Sequence, residues 1–425
     1  MMIHQKPRIA VVGSGISGLT AAYRLSQDFE VTVYEQNSWI GGHTHTVDVY
    51  LDDQAYAIDT GFIVFNEWTY PRFLNLLNEI GVQHQNTDMS FSVSSERTGI
   101  EYAGDNLATL FAQKRRLLSP QYYKFLLDIL RFNKAAIRDL ESDIIRTDTT
   151  LQHYLMNRGF GRLFESHYLL PMAAAIWSSD TLDVLQMPAL FFIRFFKNHG
   201  LLSVRHRPQW FSLPGGSSSY IKPLIRSFSD RIRLNTAVTS VRQTEHAVSV
   251  ECASGKELFD GVVLAGHTDQ ISQLIDESFQ PLKKYLYRIP YAENDVVLHT
   301  DHTQMPANRK AWASWNYRMQ DNPLSKGAVV TYDMNRLQNI GGPHEFFVTL
   351  NNTAKIRNEL ILGQWTYSHP QFGPSSLETQ SKILAQNVGR RIVVAGAWSR
   401  NGFHEDGVVS GESAASELSK TLGIE

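Results

Sequence analysis

Ile9-Ala-Val-Val-Gly13-Ser-Gly15-Ile-Ser17-Gly18-Leu-Thr-Ala-Ala22, followed by Val31-Thr-Val-Tyr-Glu35, is the stretch around which this chain is organised. An apolar run fit for a buried parallel strand passes straight into G-x-G-x-x-G, and Leu19 to Leu25 carry the apolar spacing of a helix packed on a sheet. The first glycine allows a tight turn and the second lets backbone N–H groups approach a pyrophosphate. The third lets helix and strand pack closely, so the anion sits at a helix N-terminus. A second strand, Glu30 to Tyr34, ends in Glu35, close to the roughly twenty-residue interval expected for a carboxylate that accepts from a ribose 2′-hydroxyl. Such an acid opposes a 2′-phosphate. The motif therefore predicts a dinucleotide site for FAD or NAD rather than NADP.

Composition sets the outer bounds. With 425 residues, 43% of them hydrophobic and 11% aromatic, the chain is long enough for a large core and predicts two domains. A formal net charge of −2 leaves no global basic field, so nucleic acid is not expected as a partner. The single Cys252 excludes a disulfide framework, a C-x-x-C pair and a thiolate metal site. A polar start (His4, Gln5, Lys6, Pro7) predicts no secretory signal, and no run of eighteen apolar residues predicts a membrane span. A cytoplasmic protein is expected.

Beyond Glu35, Ser38-Trp-Ile-Gly41-Gly42-His43-Thr44-His45-Thr46 places adjacent glycines where the backbone can pass close to a flat or charged group. The alternative is an ordinary Gly-Gly turn. His43 and His45 alternate with threonine, which reads as a strand edge rather than a metal site, and no metal is expected. In Asp59-Thr60-Gly61-Phe62-Ile63-Val-Phe65-Asn66, glycine followed by apolar residues suits a backbone that skirts a planar ring, or simply a turn into a core strand. Helices are predicted at Pro71 to Ile80 and Pro120 to Leu140, with short strands at Met89 to Val93 and Gly99 to Ala103. Phe191, Phe192, Ile193, Phe195 and Phe196, interrupted by Arg194 and Lys197, are most simply a core stripe; the other reading is a face that lies on a membrane or grips an acyl chain. Ser212-Leu-Pro-Gly215-Gly216-Ser-Ser-Ser-Tyr220 either binds an anion or caps a helix.

Three strands are predicted at Arg231 to Val241, Val248 to Cys252 and Phe259 to Ala265, and a further antiparallel set at Asp295 to Thr300, Ala328 to Thr331 and Glu345 to Asn351. At the far end Arg391-Ile-Val-Val-Ala-Gly396-Ala397 is another buried strand, and Phe403-His-Glu-Asp406-Gly407-Val408-Val-Ser-Gly411 opens a terminal helix whose dipole can face a flavin ring.

That order of elements resembles the FAD-dependent amine oxidase and phytoene desaturase superfamily, most specifically at Gly13 to Glu35, Gly41-Gly42 and Val393 to Gly411. Ala175-Ile-Trp177-Ser178, Trp312-Ala-Ser-Trp-Asn-Tyr317, Met334-Asn-Arg-Leu-Gln338 and Phe403-His-Glu-Asp-Gly407 look like the bacterial flavoproteins that accompany cyclopropane fatty acid synthase-type methyltransferases. The resemblance implies an α/β fold in which a glutathione-reductase-type FAD-binding Rossmann domain is interleaved with an α+β substrate domain carrying a mixed or antiparallel sheet. FAD-binding parts are expected at 1–70, 206–280 and 386–425, and substrate-domain parts at 71–205 and 281–385. It further implies that Gly13, Gly15, Ser17 and Gly18 contact pyrophosphate, Glu35 the ribose, and Gly41, Gly42 and His43 the phosphate–ribityl region. Thr60, Gly61, Phe62 and Ile63 would border the isoalloxazine, Val238 the adenine, and Ala265, Gly396, Asp406, Gly407 and Val408 the remaining wall. Two departures stand out: His43 replaces the family's arginine, and Gly396-Ala397-Trp398 replaces its Gly-Thr-Glu. Both weaken an amine reading, and Cys252 is misplaced for a covalent flavin, so non-covalent FAD is expected.

The leading expectation is oxidation, desaturation or isomerisation of an unsaturated or methylated lipid acyl chain, with hydride passing to flavin N5. His404 is the first candidate for taking the accompanying proton, ahead of Glu405 and Tyr332, although a loop histidine bonded to backbone reads the same way. The alternatives are oxidation of a small amine and a non-catalytic flavoprotein that presents lipid to a methyltransferase. Expected partners are a lipid or other apolar small molecule, the inner face of the membrane by peripheral contact, and a lipid methyltransferase.

Overall fold

The computed structural model describes residues 6–177, 181–203, 206–321, 327–373 and 375–424; Ser178, part of one motif quoted above, lies outside them. A five-stranded parallel sheet runs in the order Ile232–Arg233, Glu30–Tyr34, Arg8–Val12, Gly261–Leu264, Ile392–Val394. Its apolar strands are buried on both faces. Ile9, Val11, Val31, Val33, Val263 and Val393 enter one hydrophobic cluster, while Ala10, Tyr34, Val262, Leu264, Ile392 and Val394 enter another. Continuous apolar strands are what such two-sided burial requires.

A seven-stranded sheet lies elsewhere, in the order Ile361–Pro370, Tyr291–His299, Phe347–Leu350, Val330–Asp333, Trp315–Met319, Phe91–Ser95, Glu101–Ala103. All its pairings are antiparallel except that of Trp315–Met319 with Phe91–Ser95. Its core continues into the helices between Pro120 and Asn198. The expected interleaved α/β architecture with a mixed second sheet is therefore present.

Three local expectations need revision. Arg231 to Val241 is not one strand: Asn235 takes a left-handed conformation (φ 50°), so Ile232–Arg233 joins the parallel sheet and Val238–Gln243 leaves it for a three-stranded antiparallel sheet. Phe259 to Ala265 likewise divides into Gly255–Phe259, which closes that small sheet, and Gly261–Leu264, which enters the parallel one. The ten-residue strand Ile361–Pro370 was not expected, because its sequence mixes glycine, glutamine and serine with aromatics in no strict alternation. The aromatic stripe at Ala189–Asn198 is core: Phe192, Ile193 and Phe196 are fully buried and only Phe191 is half-buried. No helix among the described residues is long and apolar enough to cross a membrane.

The two ends of the chain meet. Helix His404–Thr421 packs on helix Ile16–Leu25 through two glycines. A Cβ at Gly407 would stand 2.5 Å from Ile16 Cγ2, and one at Gly411 would stand 2.3 Å from the Ser17 carbonyl oxygen. Gly411→Val should therefore force the helices apart at a cost of about 1–3 kcal/mol, lowering the melting temperature in a thermal-shift assay. Gly341→Ala, where an added Cβ meets nothing within 4 Å, should leave it unchanged.

Candidate functional site

The carboxyl edge of the parallel sheet gathers most of the expected groups, as open α/β sheets do. Gly13 ends the opening strand with φ 103°, and its N–H donates to the Tyr34 carbonyl (2.8 Å). A Cβ there would lie 2.8 Å from the Ala265 carbonyl oxygen, and one at Gly18 only 2.0 Å from that of Gly13. Both glycines exist for close packing. Gly15 differs: a Cβ on it would meet nothing within 4 Å, so open space faces the N-terminus of helix Ile16–Leu25. Gly42 overlies this space, with its Cβ position 3.2 Å from Gly15 Cα, and the Gly41 N–H donates to Ser14 Oγ (3.2 Å). Glu35 is buried at the end of the second strand. Its Oε2 accepts from the Ser14 N–H (2.9 Å) and hydroxyl (2.6 Å), and its Oε1 from the Asn37 N–H (2.9 Å). The Glu35 carbonyl accepts from Thr236 N–H (2.8 Å), which brings Val238 to the same end. Cys252 pairs across the strands with Val238 and is buried in the same small sheet.

A wall rises from here. Thr60 N–H donates to the His45 carbonyl (2.9 Å) and Phe62 N–H to that of His43 (2.8 Å). A Cβ at Gly61 would lie 2.2 Å from the His43 oxygen, so only glycine lets these segments touch. Ile63, by contrast, is buried in the core of the second sheet. His43 Nε2 is buried with no hydrogen-bond partner. Around its ring stand Tyr367 (5.1 Å between centroids), His369 (5.3 Å) and His267 (6.1 Å). Burial lowers His43 and His267 to about 4 and His369 to about 3, each helped by a neighbouring histidine. His45 Nδ1 meets both Thr60 Oγ1 and the Tyr367 hydroxyl at 2.9 Å. Among the described residues no group of three or more His, Cys, Asp or Glu side chains is arranged to hold a metal ion.

The terminal helix closes the ring. His404 is its first residue, stacked on Phe62 at 3.7 Å and 8°, with Nε2 3.0 Å from the Tyr220 hydroxyl, itself 2.7 Å from Thr44 Oγ1. Burial holds His404 down to about 3. Such a ring is neutral at ordinary pH, with Nε2 facing the Tyr220 hydroxyl. Glu405 is also placed differently from expectation: its two oxygens accept from the Arg72 (2.9 Å) and Phe73 (2.8 Å) N–H groups and cap helix Pro71–Glu79. Tyr332 lies in the second sheet, buried in its core against Trp315 (5.0 Å). Asp406 accepts from the Phe403 (2.9 Å) and Asn401 (3.2 Å) N–H groups, burial raises it to about 6, and Val408 is core. Gly396 donates its N–H to Ser410 Oγ (2.9 Å) under the Trp398 indole, whose N–H reaches the Gly266 carbonyl (3.2 Å).

The Ser212–Tyr220 turn binds an internal carboxyl group. Asp59 accepts from the Ser217 N–H (2.8 Å), the Ser217 hydroxyl (2.9 Å) and the Thr46 hydroxyl (2.6 Å), and burial still raises it to about 7. Sequence reasoning missed Tyr220, His267, Tyr367 and His369. His267, two residues past Ala265 at the sheet's carboxyl edge, carried a usable signal; Tyr367 and His369 belong to the strand that had none.

These residues fit FAD: an open cradle at Gly15, a fixed carboxylate at Glu35, and an orphaned polar atom on His43. Comparison with known proteins agrees. The family model described as flavin containing amine oxidoreductase matches residues 16–310. A flavin-containing amine oxidase A from Bos taurus is 23% identical over 59% of this chain and 47% of its own length. The chain spans less than half of three curated relatives and 85% of a fourth, from Sus scrofa. Among solved structures, a cyclohexylamine oxidase from Brevibacterium oxydans has a TM-score of 0.69 at 16% identity, covering 98% of this chain and 99% of its own. A fatty acid isomerase from P. acnes scores 0.67 at 15% identity, covering 98% and 99%. At these identities the structures share the fold.

Gly15→Val should yield a folded but colourless protein, because the added methyls enter open space that the cofactor needs; flavin absorbance per protein and a thermal melt check both halves. Acid should destabilise the fold. His43, His199, His267, His299, His369 and His404 all titrate near 3–4 when folded, below their unfolded value, so the unfolded chain binds more protons and stability falls as pH drops from about 6.5 towards 4. Asp59 and Asp406, raised to about 7 and about 6, act in the opposite sense but are outnumbered. Denaturant midpoints at pH 7 and pH 5 measure the net sign.

Proposed function

This chain belongs to the flavin containing amine oxidoreductase family and is an FAD-dependent oxidoreductase; we propose that it oxidises, desaturates or isomerises an unsaturated or methylated lipid acyl chain. Bound FAD supplies the two-electron acceptor. The groups proposed to hold it are Gly13, Gly15, Ser17 and Gly18 at the pyrophosphate, Glu35 at the ribose, and Gly42 with His43 along the phosphate–ribityl chain. Thr60 to Phe62 would border the ring from one side and the first turn of helix His404–Thr421 from another, with Val238 at the adenine.

One observation carries the substrate class. From Phe403, beside His404, ring contacts run without a break to Phe195 (5.1 Å), on to Trp177 (4.7 Å), Phe191 (5.8 Å) and Phe372 (6.0 Å). This run of largely buried rings beside neutral histidines supports a long apolar substrate over a charged amine, and among the described residues no carboxylate enters its ring contacts. The fatty acid isomerase of the same fold is consistent with this reading. His404 then acts as a positioning group that holds Phe62 and Tyr220. A lipid methyltransferase as partner rests on the sequence resemblance alone.

Anaerobic mixing with phospholipid vesicles tests the proposal: oxidation or desaturation of unsaturated lipid should bleach the flavin absorbance, a redox-neutral isomerisation should leave the flavin oxidised and move a double bond in the recovered lipid, and simple amines should do neither. Bleaching by amines alone would overturn it, and vesicle binding with neither bleaching nor altered lipid would favour the accessory role. Phe403→Ala should raise the KM for lipid about ten-fold, at the low end of what one apolar contact contributes to specificity, with flavin content unchanged. His404→Gln should cost less than the roughly 100-fold loss expected for removing a general base, read as kcat on the same lipid.

A further inference from the structure

We propose that residues 107–134, on the outer side of the helical unit, form a docking surface for an anionic phospholipid bilayer. Leu118 and Leu107 are 89% and 74% exposed, and Leu117, Tyr123, Leu127 and Leu130 are each about half exposed. Tyr123, Leu127 and Leu130 follow at spacings of four and three, so they form one stripe on helix Pro120–Glu141. The Tyr123 hydroxyl donates to the Leu117 carbonyl (3.1 Å), and its ring meets Phe111 (5.8 Å). Stripe and preceding turn, Lys114–Leu118, thus make one patch. Contiguous exposed apolar surface of this kind marks an interaction site rather than a scatter of single residues.

Charge selects the occupant. From residue 107 to 134 the chain carries six lysines and arginines against one acid, Asp128, which is buried and paired with Arg131. Arg115 and Arg116 are turned onto the Gly99 and Thr98 carbonyls. Lys114, Lys124 and Lys134 are exposed and have no acidic partner among the described residues. A second copy of this chain on the patch would set cations against cations. An anionic headgroup layer satisfies them all while the leucines enter the acyl boundary. Helix Pro120–Glu141 packs on helix Ala189–Asn198, whose Phe195 touches Phe403, so the patch and the aromatic wall belong to one structural unit. The docking inference stands apart from the substrate reading: without vesicle binding, the flavin could still act on a dispersed substrate.

Co-sedimentation of the flavin-loaded full chain with phosphatidylglycerol–phosphatidylcholine vesicles tests it. Binding is expected to the mixed vesicles, to be lost in high salt, and to be absent on pure phosphatidylcholine. At about five-fold per cation, the triple variant Lys114→Gln, Lys124→Gln, Lys134→Gln should bind about 100-fold more weakly. Leu107→Ser with Leu118→Ser should also weaken it, and both variants should keep wild-type flavin content and melting temperature. No binding of the wild type at low salt would overturn the proposal, as would binding that neither variant changes. So would self-association in analytical ultracentrifugation that the leucine variant abolishes in a protein that ignores vesicles.

Discussion

The contact on which this molecule depends is between its two ends. Helix His404–Thr421 lies against helix Ile16–Leu25 at glycine-to-backbone distance, and both start beside the carboxyl edge of one parallel sheet. Nearly four hundred residues separate them in sequence, so closing that loop carries an entropic cost that a deep, two-faced core must offset. The burial of the central strands in two separate clusters supplies it. Positioning follows directly. Opening turn, Gly-Gly loop, Thr60–Phe62 segment and His404 touch in succession, so the groups proposed to hold one cofactor already form a closed circuit.

The rings around the site are largely buried and neutral. Five histidines line it, and burial keeps His43, His267, His369 and His404 neutral at ordinary pH, while Asp59 and Asp406 are consumed by hydrogen bonds to hydroxyls and backbone. A low-dielectric pocket of neutral rings suits redox chemistry that the cofactor performs and the protein orients. At a helix N-terminus, a carboxylate such as Glu405 finds backbone donors that satisfy it.

Much of the fold was legible. The G-x-G-x-x-G turn, the acid after the second strand, the returning strand near Val262 and the closing strand–helix pair each left a local pattern, because two-sided burial demands apolar runs and close turns demand glycine. The strand Ile361–Pro370 left none. It is half-exposed at the edge of its sheet, so its residues answer to one neighbour rather than to a core. The membrane-like aromatic stripe at Ala189–Asn198 read ambiguously for a related reason: an apolar helix face looks the same in sequence whether protein or lipid covers it.

By itself, then, the sequence determined the class of cofactor, a dinucleotide, since a tight turn, a helix N-terminus and an acid after the second strand are encoded within forty consecutive residues. Only the tertiary structure decided which histidines face one another, which carboxylates are caps, and which leucines remain outside. Those are properties of burial and of contacts between distant segments, and neither is written in local spacing.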